Sequence, residues 1–358
     1  MIVTQHLITF AIVALLGGAA SAQQPGTPHS RPRVGFISEP GTPQAMSPDD
    51  VAARFMGMFE PPRDAAHPAR NRQLVIPSGP VLPALGRPAE MNALFFLAAG
   101  AGPHPTMLLM HGLPGNERNL DLAQAVRRSG WNVLTFTYRG AWGSEGRFSI
   151  EGAMDDTAAA LAFLRSAEAA RTYGIDPSRI VIAGHSMGGF AAAATAARDS
   201  SPHEEAWSLS STGAVGPGRR ANPPLAGLIL IDAWDIGTDV VALKAGGQGA
   251  RAAFLAGVDD IGHALGPVTA EDLYGELVGS SGDWHLARLA PALARTPVLT
   301  LYATHGGARN NRALAEVLRG AGARVAAQEL DTDHAFADHR IALAAEVVGW
   351  LQALQRRD

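Results

Sequence analysis

The sequence predicts an α/β domain with a mostly parallel central sheet and helices on both faces. Three observations carry this. The runs 106–110, 180–183, 226–231 and 297–302 are strand-length and almost wholly apolar, the pattern of strands buried on both faces. Stretches of helical spacing lie between these runs, so strands and helices alternate. Charged residues are only 17% of the 358 and hydrophobic ones 47%, a charge content below that of an average soluble domain, which argues for a sizeable buried core.

The elements follow in order. Residues 7–20 are apolar, are preceded by His6 without Lys or Arg, and lead into Ala20-Ser21-Ala22, a small-residue cleavage pattern. The run is short for a membrane span. It therefore reads as a signal peptide over 1–22 in preference to a retained anchor, with a mature start near Gln23, export to the periplasm or medium, and no stable membrane span after cleavage. Residues 23–72 are rich in Pro, Gly and Arg and read as an arm or linker; the main domain is expected over 73–358. Leu74-Val75-Ile76 is a candidate first strand, 91–98 a strand, and Gly100-Ala101-Gly102-Pro103 a turn. The first central strand is 106–110, 119–128 has helical spacing, and 131–137 is the next strand. A long amphipathic helix is expected over 150–166, a turn at Asp176-Pro177-Ser178, and a strand at 180–183. Strands at 226–231, 297–302 and 324–330 and a helix over 340–355 complete the pattern. Two segments break it: 199–224 reads as a polar loop, and 235–295 as a lid-like insertion before the penultimate strand, with helical patches at 239–244 and 270–277.

Composition excludes several function classes. The net charge of -4 is dispersed, with no basic stripe, so nucleic acid is not an expected partner. There is no cysteine, which rules out disulfides, a cysteine nucleophile and thiolate metal sites. His203-Glu204-Glu205 and Asp259-Asp260-Ile261-Gly262-His263 contain metal-ligand residue types but lack ligand spacing and a third group. Gly306-Gly307 lacks the surroundings of a phosphate loop. No metal and no cofactor are expected, and the oligomeric state is not legible.

Gly184-His185-Ser186-Met187-Gly188-Gly189 is the most informative stretch. It follows a strand-like run and precedes the alanine-rich run 190–197. A serine on so sharp a strand-to-helix turn is held in a strained conformation with its hydroxyl free, and the flanking glycines avoid collisions. Three further motifs stand in fixed order around it: His111-Gly112-Leu113-Pro114-Gly115, then Tyr138-Arg139-Gly140 with Gly143-Ser144-Glu145-Gly146, and finally Asp333-His334-Ala335-Phe336.

Together these motifs resemble the α/β-hydrolase superfamily, closest to its dienelactone-hydrolase-like and prolyl-oligopeptidase-like esterases and acyl-peptidases, over about 91–355. The resemblance implies the α/β-hydrolase fold and a serine hydrolase acting on a small-molecule ester or acyl substrate. Ser186 is then the nucleophile, and His334, after the final strand, the base. The amides of Met187 and Leu113 form the oxyanion hole, since Pro114 has no N–H. The acid is the open member. Relatives usually carry it after the strand 297–302, where this chain has Ala303-Thr304-His305-Gly306-Gly307-Ala308-Arg309-Asn310-Asn311. Asp232, at the end of the preceding strand, keeps the order Ser, Asp, His, although it reads equally as a strand-end cap; Asp235 is the second choice, and Asn310 could orient an imidazole. His185 reads as a packing residue, Arg139 and Gly140 as shapers of a turn beside the site, and Asp155-Asp156 as a solvated helical turn. Trp142, Trp234 and Trp284 are candidates to line a pocket. Ester is preferred over peptide or amide. The alternatives are an acyltransferase or haloperoxidase-like activity on the same residues, or a degenerate relative kept as a binding protein.

Overall fold

A computed structural model describes residues 47–200, 223–279 and 284–356. The expected signal peptide and most of the expected loop 199–224 lie outside them. Eight strands form one sheet: β1 (Arg70–Leu82), β2 (Arg87–Leu97), β3 (His104–Met110), β4 (Asn132–Phe136), β5 (Ile175–His185), β6 (Gly227–Ile231), β7 (Val298–His305) and β8 (Val325–Asp333). Their order is β1-β2-β4-β3-β5-β6-β7-β8. β2 is antiparallel to β1 and β4, and the pairs from β4 through β8 are parallel.

The unbroken apolar runs follow from the two-residue period of a strand, which sends neighbouring side chains to opposite faces. Leu108, Ile182 and Leu228 enter one core, packed with Leu161 and Leu164 of α3 (Ile150–Arg165) and Phe190 of α5 (Met187–Ser200). Leu109, Val181 and Ile229 enter the other, packed with Leu122 and Val126 of α2 (Leu120–Arg128) and Leu343 and Val347 of α11 (Arg340–Gln355). Among the described residues no helix is long and apolar enough to cross a membrane.

Several expectations are corrected. Part of the segment 23–72 is folded onto the domain rather than being a loose arm. α1 (Pro48–Phe55) places Arg54 against Glu346 of α11 in a buried ion pair at 2.6 Å, and β1 begins at Arg70. The turn at Asp176-Pro177-Ser178 lies within β5, where Ser178 N–H donates to Asp176 Oδ1 at 3.0 Å and the ladder to β3 shifts register. α4 (Ala167–Tyr173) follows α3 through Ser166, which caps it by accepting the Ala169 N–H. Asp156 is not solvated: it is 1% exposed, pairs with Arg139 and accepts the Ser78 hydroxyl at 2.6 Å. Burial raises its pKa, opposed by Arg139. Arg139 thereby ties the segment after β4 to α3.

The insertion between β6 and β7 is more helical than its sequence suggests. It contains α6 (Ile236–Ala245), α7 (Gly247–Ile261) and α8 (Ala270–Gly279), with the short α9 (Ala290–Leu293) leading to β7. α7 escaped detection because it opens on Gly-Gln-Gly, a run of low helix propensity. The insertion is tied down by polar bonds. Glu276 accepts the Ile150 and Glu151 amides at the start of α3 at 3.0 and 2.6 Å, a favourable place for a carboxylate, and Gly266 N–H donates to Gly140 at 2.7 Å.

Candidate active site

The parallel strands end together, and the four sequence motifs meet at that edge. β5 runs directly into α5, and Ser186 makes the turn with a φ of 56°. A left-handed backbone at a non-glycine residue costs about 1–3 kcal/mol and persists only where its surroundings fix it. Here Ser186 N–H donates to Ile231 O at 3.0 Å, and Ser186 O accepts from Gly189 at 2.9 Å and Trp234 at 3.0 Å. A Cβ at Gly184 would lie 2.0 Å from Gly188 O, so the turn closes only around bare backbone. The Ser186 side chain remains half-buried. The loop after β3 lies directly against it, with a Cβ at Gly112 falling 2.8 Å from Ser186 Cβ and 3.3 Å from its Oγ. Met187 is the first residue of α5, where a helix leaves its N–H without an intrahelical acceptor. Leu113 directly follows Gly112 in the loop against the serine.

His334 follows β8, and its loop is pinned at several points. Phe336, at φ 55°, is fully buried. Asp333 Oδ1 accepts the Ala337 N–H at 2.9 Å. Arg340 donates to Ala335 O at 2.8 Å and to Asp121 Oδ1 of α2 at 2.5 Å. His185 lies under the imidazole with ring centroids 4.6 Å apart, and its Nε2–H donates to His334 O at 2.8 Å. It is therefore more than packing. Burial, and then the neighbouring His334, hold His185 well below the ordinary histidine range, so it stays neutral beneath the second ring.

Of the candidate acids, the structure brings Asp232 to His334 and not Asp235. Asp232 Oδ2 lies 2.5 Å from His334 Nδ1, and its side chain is 0% exposed. Register explains its reach: His185 pairs with Ile231, so Asp232 lies one residue past the strand end, beside the elbow. The loop after β7 is the other half of this contact. Gly307 N–H donates to Asp232 Oδ1 at 3.0 Å and Oδ2 at 2.9 Å, and Ala303 N–H to Oδ1 at 3.2 Å. Gly307 is also the N-cap of α10 (Ala308–Gly320), so the positive end of that helix faces the carboxylate. A Cβ at Gly306 would lie 2.2 Å from Asp232 Oδ2; the two glycines leave room for the acid to arrive from β6. Asp235 turns elsewhere, accepting Leu286 N–H at 3.0 Å and the Thr238 hydroxyl at 2.7 Å.

The tryptophans divide. Trp284 is 5% exposed and stacks on Phe190 at 5.8 Å, so it packs in the core. Trp142 Nε1–H donates to Pro114 O at 2.7 Å beside the glycine loop. Trp234 lines a cavity of about 380 Å³ with His334, Asp232, Asn310 and Arg309, and its Nε1–H donates to Asp239 at 2.6 Å. Burial pushes the Asp239 carboxyl up to about 6. Of the residues considered for metal, His263 packs edge-on to Trp142 at 6.1 Å.

The sequence offers His111 only as part of the glycine loop. It is 1% exposed, and its Nδ1 lies 2.7 Å from Gly112 O, so Nδ1 carries the proton. The Tyr138 hydroxyl donates to His111 O at 3.0 Å. Burial lowers the His111 pKa from 6.5 to about 4. In the unfolded chain it takes up a proton near 6.5, whereas the folded protein refuses one down to about 4, so stability falls as pH drops through that window. His111→Gln, which keeps a donor, is expected to reduce the stability lost between about pH 7 and pH 5 by about 2 kcal/mol. Denaturant unfolding at the two pH values tests this, and an unchanged loss contradicts it.

The model of the alpha/beta hydrolase family matches residues 107–347, and the chain belongs to that family. Among individual proteins, it is 39% identical over 101 residues to the quorum-quenching protein AidA of Acinetobacter baumannii, a match covering 26% of this chain and 32% of that protein. It is 30% identical over 126 residues to an uncharacterized protein of Mycobacterium tuberculosis, covering 35% and 43%. The chain thus spans less than half the length of these relatives. Among solved structures it resembles esterase B of Lactobacillus rhamnosis (TM-score 0.55, 14% identity, 86% of this chain and 91% of that one). It also resembles an esterase of Pyrobaculum calidifontis (TM-score 0.52, 18% identity, 86% and 90%) and dipeptidyl peptidase 4 of Porphyromonas gingivalis (TM-score 0.51, 15% identity, 80% and 35%). At these identities the likeness is one of fold.

Proposed function

We propose that this α/β hydrolase cleaves a carboxylic ester of a small molecule through a covalent acyl-enzyme on Ser186. The observation that carries the reading is the bond between His334 Nδ1 and the buried Asp232 carboxylate at 2.5 Å, beside a serine on a left-handed turn. The carboxylate accepts the Nδ1 proton, which leaves Nε2 as the basic nitrogen. His334 takes the Ser186 proton as Oγ attacks the ester carbonyl. The Leu113 and Met187 amides stabilise the negative oxygen of the tetrahedral intermediate. The intermediate collapses, the protonated imidazole gives its proton to the departing alkoxide, and the acyl group stays on Ser186. Water, deprotonated by His334, then attacks the acyl carbon and regenerates the serine. Asp232 stabilises the imidazolium in both halves, its oxygens held in place by the N–H groups of Gly307 and Ala303.

The degenerate-binder alternative arose from the missing carboxylate after β7; a carboxylate delivered from β6 supports the enzyme. Export with removal of residues 1–22 is part of the proposal, as is an insertion over 235–295 that covers the site. The preference for esters is tested with matched p-nitrophenyl esters and p-nitroanilides of short acids. Ester turnover well above anilide turnover is expected, since p-nitrophenolate leaves without the protonation that an anilide nitrogen needs. Equal turnover contradicts the ester assignment, and no turnover of either contradicts the hydrolase.

A further inference from the structure

We propose that Asn311 is a positioning residue that holds the Asp232 carboxylate against His334 by locking together the loops after β6 and β7. This rests on the serine-hydrolase reading above. Asn311 lies in the first turn of α10 and is 0% exposed. Its Oδ1 accepts the Ala233 N–H at 3.1 Å, and its Nδ2 donates to Ala233 O and Gly307 O, both at 3.0 Å. One amide therefore fixes the residue after Asp232 and the residue whose N–H donates to both Asp232 oxygens.

The surroundings explain why hydrogen bonds are needed. Gly306 and Gly307 have no side chains to anchor the loop by packing. On one side it faces the cavity of about 380 Å³ that Gly306, Gly307 and Asn310 line. On the other it already touches the acid, because a Cβ at Gly307 would lie 2.8 Å from Asn311 Nδ2 and 3.1 Å from Asp232 Oδ1. Gly307 O also accepts the Asn310 and Asn311 backbone N–H groups of α10 at 3.1 and 3.0 Å, and the Asn311 side chain ties that turn to Ala233 in the loop after β6. Without that clamp it can relax into the cavity and draw the Gly307 amide away from the carboxylate. The neighbouring Asn310, which the sequence offers as a residue that could orient an imidazole, lines the cavity, while Asp232 makes the contact with His334.

The test compares Asn311→Ala and Asn311→Ser with wild type on a short-chain p-nitrophenyl ester, with the far-downfield Nδ1–H proton of His334 followed by NMR. The expected result for the alanine variant is a fall in kcat of about 100-fold with KM within about twofold, because a small displacement of a group at the site is enough for such a loss. The serine variant, which keeps one donor, loses less. The downfield resonance weakens or moves upfield in both, a change that a purely structural role does not produce. A folded variant with wild-type kcat and an unmoved resonance overturns the assignment. If neither variant folds, hydrogen exchange on wild type decides: the Gly307 amide is expected to exchange as slowly as those of β6 and β7, and fast exchange overturns the clamp. An inert wild type sinks the hydrolase reading, whereas an active wild type with unaffected variants sinks only the positioning role.

Discussion

Replacing Ser186 by Ala is expected to lower kcat by about 10⁶-fold while leaving the fold intact. The side chain lost is one oxygen on a half-buried residue, so little packing is removed. The left-handed backbone, held by Ile231, Gly189 and Trp234, remains in place. What disappears is the proposed nucleophile, and with it the proposed covalent route. The backbone amides at Leu113 and Met187, the proposed oxyanion hole, are untouched, so a residual acceleration of about 10³–10⁴-fold over water is expected from them and from binding. Steady-state turnover of a p-nitrophenyl ester measures the loss, and circular dichroism checks the fold. A folded alanine variant retaining more than about one part in a hundred of wild-type turnover removes Ser186 from the chemistry.

Asp232→Asn is expected to cost about 10⁴-fold in kcat. The cause is directional. The two amides of Gly307 and Ala303 donate to Oδ1, so the asparagine carbonyl oxygen takes that position and accepts them. Its NH₂ group then occupies the Oδ2 position, facing His334 Nδ1, where the carboxylate had accepted a proton. Two donors cannot face each other, so the imidazole shifts its proton to Nε2. The nitrogen needed to deprotonate Ser186 is then blocked. Asp235→Asn is expected to change kcat by less than about threefold, since its carboxylate is engaged with Leu286 and Thr238 away from His334. Small and similar effects of the two substitutions would remove Asp232 from the proposed triad.

The contrast between these residues shows what was legible in the sequence. Ser186 and His334 stood out because their surroundings are local: one is a strand, turn and helix within a dozen residues, the other a loop between the last strand and the last helix. The layered fold was equally legible, since two-faced burial leaves unbroken apolar runs. Asp232 could be placed at the end of its strand but not paired, because pairing depends on the stagger between β5 and β6, which no short window contains. Asn311 was invisible. It falls in the run 303–311 that reads as a loop after the strand 297–302, and only the helix that begins there and the meeting of two loops bury it. Asp156 was misread for the related reason that its partner, Arg139, comes from another element, although its spacing from Ala153 and Ala160 puts it on the buried stripe of α3.

The most direct measurement is peptide mapping after treatment with a fluorophosphonate, which reacts with a hydroxyl made nucleophilic by a neighbouring base. The predicted result is one stoichiometric adduct on Ser186 in the wild-type protein, formed far more slowly in His334→Ala and absent in Ser186→Ala. Wild-type protein that takes up no label, or takes it up at another residue, contradicts the account.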